Sequence, residues 1–362
     1  MPLIDKSKLD FIRFSISNDT VVPVSTQSID WYDFLHFCNR QGVIGLVFEG
    51  MQKADLRIDP KNLFLWISYS EHIKRQNRII NQRIEEIQQF FIDKDRRSCI
   101  LKGQANGLMY PKPEFRSPGD IDIWVEGNPI DIIKIVRKFA PQTPYSYNHI
   151  KMPIFNDVSV EVHYRPANMM IKRHDKRLQE YVKEIKNNQF SHKEKFGTVE
   201  IGSLTNEFNA LYQILHMYSH FFTTRNSFKQ FIDYYYLLKK GLPNEAKENC
   251  MKMFKRLKIE NYSSGIMWIM KDILGLDDSF IIGNVNEREG LLILKESFYY
   301  GTGSKNKYLS VLEQTIVNVR LINHYPAQIL FRPIYLAWHQ WWKLKMKVAL
   351  KKTNPCGTDY AF

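Results

Sequence analysis

Cysteine is scarce in this chain. The four present, Cys38, Cys99, Cys250 and Cys356, stand far apart. None has the spacing of a metal-ligand set, and no disulfide framework is visible. Sparse, scattered thiols fit a reducing compartment, so a cytoplasmic location is expected. Long apolar runs are lacking as well, and no stretch approaches the length of a membrane span. The opening Met-Pro-Leu-Ile-Asp-Lys carries an acid and no apolar h-region, so no signal peptide is expected. Internal repeats and low-complexity linkers are missing. Acids are the minority charge, 38 against 51 Lys plus Arg, for a formal net charge of +13. That balance favours an anionic partner (nucleotide, nucleic acid, phosphorylated glycan or membrane surface) without choosing among them.

What is present is ordinary globular composition, 44% hydrophobic and 25% charged. Its 362 residues suffice for one large or two to three ordinary domains. The informative stretch is 99–125. It reads as a short apolar strand, a Lys102-Gly103 turn, a small helix or loop, a Pro-rich turn, and a strand opening Gly119-Asp120-Ile121-Asp122-Ile123-Trp124-Val125. Side chains alternate faces along a strand, so Asp120 and Asp122 share one face, about 7 Å apart. Two such carboxylates repel, and a divalent cation between them removes that cost; hard Mg²⁺ or Mn²⁺ prefers oxygen ligands. A third acid belongs to the same argument. In Val158-Ser159-Val160-Glu161-Val162-His163, the valines face one way and Ser159, Glu161 and His163 the other. If this strand pairs beside Asp120–Val125, Glu161 joins the two aspartates in a set suited to phosphoryl displacement. Gly103 lets backbone approach a phosphate, and a helix start after it offers N–H donors.

The order apolar-Lys-Gly, Gly-Asp-Ile-Asp, then apolar-Glu-apolar resembles the polymerase-β nucleotidyltransferase superfamily. It is closest to the group of uncharacterised nucleotidyltransferases found in bacterial gene clusters that often concern surface polysaccharide. The resemblance implies an α+β fold: a small mixed sheet carrying the site, flanked by N- and C-terminal helical regions. It implies Asp120, Asp122 and Glu161 as catalytic metal ligands. It further implies Lys102, Gly103, Gln104, Arg116 and Lys229 as nucleotide-binding residues, with Lys102 or Arg116 as charge partners. Gln104 stands where the superfamily usually has Gly or Ser, and the spacer before Asp120 is longer than in the shortest members. The implied reaction moves a nucleoside monophosphate from an NTP to an acceptor hydroxyl or phosphate on a glycan precursor, RNA or protein. A toxin that modifies RNA ends lies within that chemistry. Two alternatives compete. One is a non-catalytic nucleotide- or RNA-binding protein of the same fold. The other is a metal-dependent glycosyltransferase, which would place an α/β nucleotide-binding region before the Asp-x-Asp; here the preceding residues read mainly helical.

In chain order, the expected divisions are a helical region 1–97, an α/β core 98–202, a helical region 203–352 and a tail 353–362. Ser28 or Asp30 caps a helix from Trp31 that ends at Gly42, and a second helix follows over 43–51. A long helix spans 61–95, with Phe64, Ile67, Ile73, Ile79, Ile80, Ile84, Ile87 and Phe91 near a 3.6 period. Its Lys74, Arg75, Arg78 and Arg83 read as a solvated face. A helix over 128–140 turns Ile132, Ile133, Val136 and Phe139 to the sheet, with Pro129 in its first turn. Residues 149–155 read as a strand entering a hairpin at Asn156-Asp157. His216 and His220 sit four apart on a helix from Thr205, without the His-Glu-x-x-His base of a zinc enzyme. Asp233, amid apolar residues on a helix over 227–240, needs a partner. In the stretch Tyr335–Lys352, Tyr335, Trp338, Trp342, Met346 and Ala349 form a stripe accompanied by lysines. It reads as a docked terminal helix, or one that meets an anionic membrane or nucleic acid. Neutralising Asp120 or Asp122 is expected to abolish turnover and relieve acid repulsion.

Overall fold

The computed structural model describes residues 5–299 and 319–352. The expected tail 353–362, with Cys356, lies outside them. The fold is α+β, mostly helical, with a four-stranded mixed sheet and a two-stranded hairpin. Two compact units share the chain. The first draws on Met1–Arg78, Asn106–Pro118 and Gln213–Gln314, and the second on Ile79–Ala105, Gly119–Tyr212 and Thr315–Phe362.

The first unit opens with α1 (Lys6–Ile16), α2 (Trp31–Gln41) and α3 (Ile44–Lys53). Asp30 caps α2, accepting from the N–H groups of Tyr32 and Asp33 at 2.9 and 3.0 Å. Gly42 ends it in the left-handed region, φ +68°, as a helix terminus favours. The long helix α4 (Pro60–Ile92) begins here. Phe64 and Ile67, expected on its inner stripe, are 70% and 41% exposed. The buried row instead runs Trp66, Ser70, Ile73, Asn77, Ile80, Ile84, Ile87, Phe91, alternating steps of four and three. Two of its members are polar, so hydrophobicity alone misplaces the row. Asn77 is buried because its amide donates to the carbonyls of Glu114 and Arg116 at 2.8 and 2.9 Å. Phe11, Phe34, Trp66, Phe228, Phe231 and Tyr262 fill the core of this unit.

The second unit holds the sheet: β1 (Ser98–Ile100), β2 (Ile121–Val125), β3 (His149–Lys151) and β4 (Val160–His163), in the order β1-β2-β4-β3. β2 and β4 are parallel neighbours, while β1 and β3 pair antiparallel at the edges. Ile121, Ile123 and Val125 on one strand and Val158, Val160 and Val162 on and before the other are all buried, as alternation predicts. After α5 (Gln104–Gly107) and before β3 comes α6 (Pro129–Arg137), with Asn128 accepting from the N–H of Asp131. Ile132, Ile133 and Val136 of α6 are buried. Phe139 lies past the helix end, 52% exposed, its ring edge-on to Phe90 at 5.3 Å. β3 is shorter than the expected 149–155: Met152 still donates to the Val160 carbonyl at 2.9 Å, but the next N–H on that side, Ile154, turns back to the Met152 carbonyl at 2.9 Å and the pairing ends.

α7 (Lys172–Ser191) leads into the hairpin β5 (Lys193–Phe196) and β6 (Val199–Gly202). A Cβ at Gly202 would sit 2.2 Å from the Ser98 carbonyl oxygen, so only glycine lets β6 lie against β1. The chain continues through α8 (Asn206–Phe221), which begins in the second unit and passes to the first. There α9 (Phe228–Lys239), α10 (Asn244–Leu257), α11 (Glu260–Trp268) and α12 (Glu287–Ser297) follow. α13 (Pro326–Lys352) returns to the second unit. Its expected stripe docks: Tyr335 accepts from Asn168, the Trp338 ring meets Tyr147 at 4.8 Å, and Trp342 meets Tyr147 at 5.3 Å. Ile334, Trp341, Leu344 and Val348 on its other side are exposed. Among the described residues, no helix is long and apolar enough to cross a membrane.

Candidate active site

The parallel register of β2 and β4 sets Asp122 directly beside Glu161. Asp120 stands just before β2, on the same face by alternation. The three carboxylates bring one oxygen each to within 4.8 Å of one another. Lys102 follows β1, whose pairing to β2 extends one residue through the Leu101 N–H to the Asp122 carbonyl at 2.9 Å. That continuation aims Lys102 Nζ at Asp122 Oδ2, 3.0 Å away. On the other side His163 Nε2 lies 2.9 Å from Asp122 Oδ1. Asp122 is thus 2% exposed, between an ammonium and an imidazole.

These neighbours push the acids apart. Burial alone would raise Asp122, but Lys102 and His163 outweigh it and hold the carboxyl well below the usual range. Glu161 moves the other way, raised first by burial and then by the charge of Asp122. Burial would lower Lys102, yet Asp122, Asp120 and Glu161 together raise it. His149, whose Nε2 is 3.6 Å from Glu161 Oε2, is lowered to about 4 by burial and by His163. Burial, then the aspartates, push the phenol of Tyr212 well up.

Gly103 adopts φ +68°, with the Asp120 carbonyl oxygen 3.5 Å from where a Cβ would stand. Any other residue would be strained there. Gln104 is buried, and its amide donates to the side-chain oxygen of Asn81. Arg116 and Lys229 are placed in the first unit. Arg116 forks onto Asp233, Nε to Oδ1 and Nη2 to Oδ2, both 2.8 Å. Tyr110 donates to Oδ1 of the same carboxylate at 2.7 Å. The partner that Asp233 requires is therefore Arg116. Lys229 runs beneath the turn at Gly42. His216 and His220 pack ring to ring at 4.3 Å, and neither belongs to a metal-capable cluster among the described residues.

Two residues escaped the motif reading. His149, Glu161 and His163 form a second cluster with ligand atoms within 4.8 Å. His163 is legible in hindsight, two residues beyond Glu161 on the same alternating face. His149 becomes a neighbour only through the β3–β4 register, where it pairs with His163. The donor set fits a divalent cation: three convergent carboxylate oxygens, one of them on an acid that burial and repulsion disfavour in the ionised form.

Among solved structures, a similar chain is an antigenic nucleotidyltransferase-like protein from Paracoccidioides brasiliensis. It is 12% identical, with 51% of this chain and 91% of that one covered, at a TM-score of 0.30. No curated protein matches the chain. Residues 27–275 match the model of a family described as uncharacterised nucleotidyltransferase. With the match covering more than half its length, the chain belongs to that family.

Proposed function

We propose that this protein transfers a nucleoside monophosphate from an NTP to an acceptor hydroxyl or phosphate. The observation that carries the reading is the convergence of Asp120, Asp122 and Glu161 on adjacent strands, beside the Lys102-Gly103 turn. Asp120, Asp122 and Glu161 would hold Mg²⁺ or Mn²⁺, which when bound offsets charge on the triphosphate and polarises the phosphorus under attack. The remaining work falls to the chain's own groups. Asp122 stays ionised across the physiological range, since Lys102 and His163 hold its proton off. Glu161, raised by burial and by Asp122, suits the role of base for the attacking hydroxyl, because a proton acceptor works best with its pKa near the working pH. The backbone turn at Gly103 receives the phosphates, and the Lys102 ammonium supplies charge beside them. Gln104 serves to fix the turn by its bond to Asn81. Arg116 and Lys229 have no part in this reading; the Arg116–Asp233 pair serves the fold of the first unit.

The test is a screen of the four radiolabelled NTPs against glycan precursors, RNA and protein, with Mg²⁺ or Mn²⁺ present. Label transfer should require metal and vanish in Asp120→Asn and Asp122→Asn. Unchanged transfer in Asp120→Asn would overturn the proposal.

A further inference from the structure

We infer that His149, Glu161 and His163 form a seat for a borderline divalent cation such as Zn²⁺ or Co²⁺, different in kind from the oxygen-only seat at Asp120 and Asp122. The inference deepens the transfer reading through the shared Glu161, but it stands on ring geometry, and its test can fail separately.

Three ligand atoms of the right type lie within 4.8 Å of one another. Both imidazoles turn the same nitrogen inward: His149 Nε2 is 3.6 Å and His163 Nε2 3.9 Å from Glu161 Oε2. The strand register enforces this, since His149 and His163 pair across β3 and β4 and Glu161 stands two residues before His163, on the same face of β4. The outward nitrogens are both engaged. His163 Nδ1 lies 3.3 Å from the Arg165 carbonyl, and His149 Nδ1 lies 3.2 Å from the Ser146 hydroxyl. Metal-binding histidines characteristically anchor the far ring nitrogen on a backbone carbonyl or another polar group, which fixes the ring and leaves the near nitrogen's lone pair to the metal. In the metal-free chain a proton on His163 Nε2 is donated to Asp122 Oδ1 at 2.9 Å, which is how this ring helps to hold that carboxyl low. A bound cation takes that proton's place between the ring and the carboxylates of Asp122 and Glu161, with Nδ1 then donating to the Arg165 carbonyl. Nitrogen donors select against Mg²⁺, which takes oxygen, and for the later first-row ions.

The experiment uses the full chain, stripped with chelator and titrated with Co²⁺ in excess Mg²⁺. Visible ligand-field absorption should grow to saturation and be bleached by Zn²⁺. Pulsed electron paramagnetic resonance of bound Cu²⁺ should show imidazole nitrogen coupling in the unaltered protein, so that the result does not depend on any variant folding. His149→Ala, at a half-buried position, should weaken Co²⁺ by at least about tenfold, given that loss of even an outer partner costs that much. Asp120→Asn should leave Co²⁺ affinity unchanged. Co²⁺ displaced by Mg²⁺, absence of nitrogen coupling, or affinity lost in Asp120→Asn but kept in His149→Ala would each overturn the inference. Histidine-bound Co²⁺ in a protein that transfers no nucleotide would support it while ending the transfer reading.

Discussion

Asp122 and Glu161 face each other across one strand pair, yet their charges have opposite energetic signs. The carboxyl of Asp122 is depressed, so its ionised form stabilises the fold at neutral pH. That contribution is lost as pH falls from the ordinary carboxylate range toward its lowered value. Glu161 is raised, so its ionisation costs stability at neutral pH, and the cost disappears as pH falls through its raised value. In metal-free protein, Asp122→Asn should therefore destabilise on the order of 3 kcal/mol, by leaving Lys102 without its closest anion. Glu161→Gln should raise the melting temperature at pH 7 and do nothing at acid pH. Equal shifts of the same sign in melts at the two pH values would contradict this. Asp233→Asn should cost about 3–5 kcal/mol in the first unit, because Arg116 stays buried without its anion; a joint Arg116→Met, Asp233→Leu change should recover part of the loss in a double-mutant cycle. Alternation alone places the acids on their faces. It does not reveal Lys102 as Asp122's partner, which reverses the expectation that neutralising this aspartate relieves repulsion; that pairing depends on where β1 ends against β2.

Among the elements, α13 has two apolar sides with different fates. Trp342 is 9% exposed against Tyr145 and Tyr147, whereas the adjacent Trp341 is 51% exposed. Trp342→Ala should cost about 3 kcal/mol in denaturant unfolding, and Trp341→Ala less than about 0.5 kcal/mol. Comparable losses at both positions would mean that this helix docks on the other side. Caps and turns are well signalled locally, as Asp30, Gly42 and Asn128 with Pro129 show, because each acts within one turn of its own backbone. The inner row of α4 is less legible. Asn77 occupies it because of partners elsewhere in the chain, and Ser70 sits on it with its hydroxyl buried and, among the described residues, unpartnered, while Phe64 and Ile67 have the right chemistry on the wrong side. The length of β3 depends on where the Ile154 N–H turns back to the Met152 carbonyl, which periodicity reads through.

At the scale of the whole molecule, each compact unit is assembled from segments distant in sequence. Linear divisions at 97 and 202 cannot express that, since contact between remote segments leaves no local pattern. Ligand linkage is the natural global measurement. Mn²⁺ with the correct NTP, at a hundred times its dissociation constant, should stabilise the protein by about 2.7 kcal/mol, seen as a higher melting temperature. The gain should vanish in Asp120→Asn; a full gain there would place the nucleotide elsewhere.

The few thiols have a use of their own. Cys38 and Cys250 are buried in the first unit and Cys99 in the second, on the strand next to β2. Burial pushes the thiols of Cys38 and Cys99 upward, so neither reacts as a thiolate while its surroundings stay closed. In a Cys356→Ser background, modification by a thiol reagent would thus proceed only through transient opening, and each labelled cysteine would clock its own unit. Nucleotide with metal should slow the clock at Cys99, giving a read-out of occupancy that needs neither a known acceptor nor a turnover assay.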